Sequence, residues 1–246
     1  MTIRWLTAFL DIPEPSFDAA VAFWAAVTES SLSECRGEIG EFATLLPADG
    51  DPFIRVQRIS DRIPLVHLDI HTVDPGGLAD RAITLGATLR ERRGYVVLES
   101  PGGFVFCCVG FEGEAQRLPP RPTHVVDQVC LDVPDGLFDA ECRFWADLTG
   151  WELRTGATKE FRFLARPDEM SLRLLFQRLE GNDNRQRTRG HLDIAAGAFV
   201  DDVVAAHTAL GAKIRFQGSA WTSMLDPAGK SYCITNRDPL ADDSAK

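Results

Sequence analysis

The chain has 246 residues, 45% hydrophobic and 25% charged, enough for one large core or two of about 120 residues each. Its formal net charge of -10 argues against nucleic acid and anionic membranes, whose phosphates need basic surface, and leaves neutral or cationic small molecules as partners. The opening MTIRWLTAFLDIPEP lacks the long apolar stretch and cleavage site of a signal peptide, and no apolar run approaches the ~20 residues of a membrane span.

In chain order, an opening strand leads to a helix whose aromatic face is marked by Phe17, Val21, Phe23 and Trp24 at helical spacing, and a cluster of short strands follows. HLDI at 67–70 alternates polar and apolar residues, which predicts a strand with His67 and Asp69 on one face. A second helix is predicted over 77–85, closed by Gly86 as its C-cap. Further strands and a Pro-Gly turn, SPGGFVFC at 100–107, complete the first half.

The same order then returns. FDAAVAFWAAVT at 17–28 is matched by FDAECRFWADLT at 138–149, and HLDI recurs at 191–194. LGA at 85–87 recurs at 210–212, and SPGGFVFC is matched by DPAGKSYC at 226–233. The chain is therefore a tandem duplication, with domains expected at 1–118 and 122–238 and a proline-rich, charged boundary in EGEAQRLPPRPTH at 112–124. Each copy repeats strand, helix, three strands twice. The fold class is α+β, with four βαβββ modules, and 238–246 is expected to be a frayed tail.

These motifs together resemble the vicinal oxygen chelate superfamily, which includes glyoxalase I, bleomycin resistance proteins and extradiol dioxygenases. The residues that carry the resemblance are FWADLTGW at 144–151, HLDI followed by a helix and LGA, and DPAGKSYC. It implies paired modules whose mixed sheets cup one cavity in each half. It also implies metal ligands from the module-opening and module-closing strands. Carried over, these positions are Thr7, Gln57, His67 and Cys107 in the first half, and Gln128, Gln177, His191 and Cys233 in the second. The family's carboxylates are missing there. Amides are weak neutral ligands, so no metal is favoured; if one binds, as Zn, Ni, Fe or Mn, the second set holds it.

Each feature has a plainer reading beside the functional one. The pairs His67–Asp69 and His191–Asp193 either recognise a ligand or form a structural hydrogen-bonding network. Asp11 and Asp132 recur at strand ends and are expected to cap the following helices, lining a cavity rim being the functional alternative. Trp24 and Trp145 belong to the core, and Cys107 and Cys233 are expected as small buried residues. Trp221 and Tyr95 stand where an aromatic ring could stack on a ligand. His71, His124 and His207 have no counterpart in the other copy and are expected to be solvated.

The cysteines, six in all and without a CxxC pair, fit reduced thiols in a cytoplasm. The expected function is binding a small molecule, such as a toxic metabolite or drug that it sequesters. A metal-dependent glyoxalase-like lyase, isomerase or dioxygenase is the alternative. The fused copies predict a monomer or loose homodimer. The second half is expected to be the functional one, because it has Gln128 where the first has Thr7 and keeps Asp226 in its closing turn.

Overall fold

A computed structural model describes residues 2–63, 65–119, 121 and 123–241, so most of the expected tail lies outside the described residues. The first module runs β1 (Ile3–Pro13), α1 (Phe17–Val27), β2 (Ser30–Leu32), β3 (Phe42–Pro47) and β4 (Ile54–Ile59). The second runs β5 (Leu65–Thr72), α2 (Pro75–Thr84), β6 (Thr88–Arg92), β7 (Val96–Glu99) and β8 (Val105–Gly110). The third runs β9 (Val125–Val133), α3 (Phe138–Thr149), β10 (Leu153–Thr155), β11 (Phe161–Leu164) and β12 (Arg173–Arg178). The fourth runs β13 (Arg189–Ala195), α4 (Val200–Ala209), β14 (Lys213–Gln217), β15 (Trp221–Leu225) and β16 (Ser231–Thr235). Strand, helix, three strands thus occurs four times.

The strands form two mixed eight-stranded sheets with the same order, β2-β3-β4-β1-β5-β8-β7-β6 and β10-β11-β12-β9-β13-β16-β15-β14. In both, the strand that opens the second module pairs parallel with the strand that closes it, β5 with β8 and β13 with β16. This parallel pairing matters for the site, because it fixes which closing-strand residue stands beside HLDI. No helix among the described residues is long and apolar enough to cross a membrane.

The chain forms two compact units that each draw on both halves. One comprises Met1–Ala8, Val66–Ala115 and Val129–Gly190; the other comprises Phe9–Leu65, Gln116–Gln128 and His191–Lys246. In the second unit, α1 sets Trp24 edge-on to Tyr232 of β16 at 5.2 Å, and Phe23 packs on the His207 ring of α4 at 5.7 Å. In the first, Trp145 of α3 meets Phe106 of β8 at 5.1 Å. Both tryptophans are fully buried, and truncating either would cost about 3–5 kcal/mol.

A buried carboxylate holds each of these junctions, but the two copies supply it from different places. Asp226, in the turn before β16, accepts from Trp24 Nε1 at 2.9 Å and from the backbone N–H groups of Ala228 and Lys230. The matching turn position in the first half is Ser100. There the carboxylate comes from α3: Glu141 accepts from Trp145 Nε1 at 3.0 Å, from the Ser100 hydroxyl at 2.6 Å and from Gly102 N–H at 2.7 Å. Burial pushes both acids above the usual carboxylate range, against these hydrogen bonds.

Several local expectations are corrected. The second helix starts at Pro75, two residues earlier than predicted, because Asp74 caps it by accepting from Gly77 N–H at 2.9 Å. Neither α1 nor α3 is capped by a repeated aspartate: both follow a single 3-10 turn with no side-chain cap, and Asp132 instead pairs with Arg185 at 2.9 Å. His71 and His207 are buried rather than solvated, since His71 extends the inward alternation of His67 and Asp69, and His207 lies on the face of α4 that carries Val203 and Val204. His124 is half-buried and bonds the Val27 carbonyl at 3.1 Å.

Candidate metal and ligand site

Alternation along β13 places His191 and Asp193 on one face and Leu192 and Ile194 on the other. The parallel register with β16 sets Cys233 beside Asp193, and antiparallel β15 sets Ser223 beside Cys233. Trp221, half-buried, lies on the same face, beside Thr235. Residues 40 positions apart in sequence are therefore drawn into one cluster by a strand pairing.

The cluster converges on one ring nitrogen. His191 Nε2 lies 3.2 Å from Asp193 Oδ1 and 3.6 Å from Cys233 Sγ. Gln128 on β9 donates from Nε2 to Asp193 Oδ2 at 2.5 Å. Asp193 is 3% exposed, and its other oxygen, Oδ1, is buried with no hydrogen-bond partner. A buried carboxylate oxygen costs free energy unless something meets it. What stands beside this one is the His191 ring nitrogen, an ion-pair partner only when that ring is protonated, so this atom tests what the site accepts.

A divalent metal ion fits. Nitrogen, oxygen and sulfur donors at tetrahedral angles around zinc, with bonds of about 2.0–2.3 Å, stand about 3.3 Å (N···O) and about 3.6 Å (N···S) apart. Those are the separations found here. The N, O, S donor set also suits a borderline ion of the zinc class better than a hard one such as magnesium. The expectation that carboxylates are missing holds for the family's own positions, but Asp193 brings one from two residues beyond the histidine.

The first half has the same trio with a looser geometry. His67, Asp69 and Cys107 cluster with donor atoms within 4.8 Å of one another, Asp69 again standing in register with the cysteine. His67 Nε2 is 3.8 Å from Asp69 Oδ1, and Val97 stands where the second half has Ser223. Thr7, in the place of Gln128, shares its hydroxyl with His71 Nε2 at 2.9 Å, and His71 Nδ1 is 3.4 Å from Glu114 Oε1. Sequence reasoning did not join His71 and Glu114 to this network, nor Ser223 to the other. Only His71 carried a signal, its place in the alternation.

The glutamines at 57 and 177 lie on the closing strands of the first and third modules. Gln57 is half-buried on β4 opposite Phe42, and Gln177 is half-buried on β12 opposite Phe161. Each belongs to the compact unit that does not contain the histidine of its own half. Among the cysteines, burial pushes the thiols of Cys108 and Cys142 up to about 12, which makes them inert. Cys233 differs in being half-buried beside an imidazole.

Fold and site thus describe duplicated βαβββ modules with a polar trio at one place in each copy. The chain belongs to the glyoxalase-like domain family, whose domain it carries twice, over residues 7–109 and 128–235, within the vicinal oxygen chelate superfamily. Among solved structures it is similar to 2,2',3-trihydroxybiphenyl 1,2-dioxygenase from Sphingomonas wittichii, with a TM-score of 0.65 at 15% identity, covering 95% of this chain and 90% of that one. It is also similar to the Mn(II)-bound glyoxalase from Novosphingobium aromaticivorans, with a TM-score of 0.62 at 16% identity, covering 95% and 81%. A variant of homoprotocatechuate 2,3-dioxygenase from B. fuscum gives 0.64 at 12% identity, covering 96% and 72%. At these identities the likeness is one of fold. No curated protein matches the chain in sequence.

Proposed function

We propose that this chain is a glyoxalase-like small-molecule-binding protein whose C-terminal half anchors its ligand at a single divalent metal of the zinc class. The observation that carries this reading is Asp193 Oδ1, buried without a hydrogen bond and spaced from His191 Nε2 as two donors to one ion would be. His191, Asp193 and Cys233 would hold the ion, the three protein ligands of an open site. When bound, such an ion supplies Lewis acidity at its open position to an oxygen of the ligand.

The chain's own groups would do the rest. Trp221 offers an aromatic wall and Ser223 a hydroxyl on the same face. A second carboxylate, Asp132 of β9, has its donor atom within 4.8 Å of a His191 ring nitrogen, but it is engaged in an ion pair with Arg185 at 2.9 Å, which supports binding over proton-transfer catalysis. The chain's negative charge favours encounter with cationic drugs or metabolites at low salt, in keeping with sequestration.

Chelator-stripped protein titrated with zinc is expected to show one tight site. His191→Ala, Asp193→Ala or Cys233→Ala should each abolish it, and His67→Ala should not. At a hundredfold excess over Kd, zinc should stabilise the fold by about 2.7 kcal/mol, read as a rise in Tm. Zinc uptake that survives His191→Ala overturns the assignment. A metal-dependent lyase, isomerase or dioxygenase is the second reading, favoured by the dioxygenase and glyoxalase structural neighbours. Turnover of an α-hydroxycarbonyl or catechol by the zinc-, manganese- or iron-loaded protein would establish it.

A further inference from the structure

The resemblance that places Gln128 among the metal ligands meets a structural fact that gives this residue other work. Its amide is 3% exposed and points one hydrogen at Asp193 Oδ2, 2.5 Å away. Beside a carboxylate only the nitrogen end of the amide can make this bond, because the oxygen end would bring two acceptors together. We propose, on the reading that the trio holds a metal, that Gln128 is a positioning residue for Asp193 and not a ligand. It pins Oδ2, so that Asp193 presents only Oδ1 to the point shared with His191 Nε2 and Cys233 Sγ.

A carboxylate with one oxygen fixed by that bond loses little further freedom when the other coordinates, which raises affinity without adding a ligand. The first half shows the alternative: Thr7 stands in the equivalent strand, and its hydroxyl bonds His71.

A glutamate at 128 separates the two roles. Were Gln128 a ligand, a carboxylate in its place would bind metal more tightly than the amide. As a positioning donor it is spoiled by the same change, since Glu cannot donate and sets a second negative charge against Asp193. Zinc affinity, measured by competition with a chromogenic chelator, is expected to fall about 10–100-fold in both Gln128→Glu and the nearly isosteric, apolar Gln128→Met. Cobalt(II) substituted into Gln128→Met should keep the thiolate charge-transfer band and visible bands of the unaltered protein, because the donor atoms are the same.

Tighter binding in Gln128→Glu, or a changed cobalt spectrum in Gln128→Met, overturns the positioning role while leaving the metal site standing. Failure of the unaltered protein to take up cobalt or zinc overturns both. Thermal melts without metal keep the comparison to folded variants: Gln128→Met weakening metal only in proportion to lost folded protein also overturns the proposal.

Discussion

His207 shows how one buried residue can carry a pH dependence. Its Nδ1 shares a 2.9 Å hydrogen bond with the Tyr232 hydroxyl, its Nε2 is buried without a partner, and the rings of Phe23 and His124 pack against it. Burial, helped by the nearby His124, depresses its pKa from 6.5 to about 4. The folded state therefore holds His207 neutral where the unfolded chain binds a proton. The stability this represents is full above pH 6.5 and is lost as pH falls toward 4, by about 3 kcal/mol at most. His207→Phe, which keeps the ring packing, should flatten the fall in Tm between pH 7 and pH 5 relative to the unaltered protein. Parallel Tm–pH curves for the two would show that His207 does not titrate in this window. Glu141 and Asp226, whose pKa values are raised, act in the opposite sense and are common to both proteins, so the comparison isolates the histidine.

At the scale of elements, the helix ends record the drift between copies. Helix α3 stops at Gly150, which adopts φ 73° and donates its N–H to the Ala146 carbonyl at 2.8 Å. The equivalent residue after α1 is Glu29, at φ 51°, the one non-glycine residue with positive φ among those described. A side chain there costs about 1 kcal/mol against glycine. Its exposed ion pair with Arg121, at 2.8 Å, offsets little of that. Glu29→Gly is therefore expected to raise Tm by about 2–4 °C in a calorimetric scan, the shift 1 kcal/mol gives in a chain of this size. No change, or a lower Tm, would mean that the Arg121 contact outweighs the backbone strain.

The same scale sets what could be seen in the sequence. The order of strands and helices was legible because each copy repeats it, and the His-Asp spacing was legible because alternation is local. The cysteine completing the trio was reached only through the family resemblance, not from any local pattern. Its place beside Asp193 depends on the parallel register of β13 and β16, set by whole-sheet packing with 40 residues intervening. The relocated carboxylate was hidden for a similar reason. Glu141 falls on a helix face otherwise filled by Phe138, Phe144 and Trp145, and only the turn at Ser100 explains why an acid is buried there.

At the scale of the whole molecule, the duplication makes a controlled comparison. Both copies retain histidine, aspartate and cysteine at matching places, while the residues around them differ. The second copy has Gln128 holding Asp193 and Ala195 two residues beyond it; the first has Thr7 and His71 at those positions, bonded to each other, with Glu114 next to His71. If pinning the aspartate is what makes the second trio a metal site, importing both residues should give the first trio the same property. Thr7→Gln with His71→Ala supplies the longer amide and removes the ring that engages the strand. Zinc bound per chain, measured by elemental analysis after gel filtration, is then expected to rise from about one equivalent to about two, as preorganised donors convert to binding free energy. The added equivalent should vanish in the further change His67→Ala and persist in His191→Ala. Unchanged stoichiometry in a variant whose melt remains cooperative would mean that the wider His67–Asp69 spacing of 3.8 Å, and not the missing amide, keeps the first copy from holding metal.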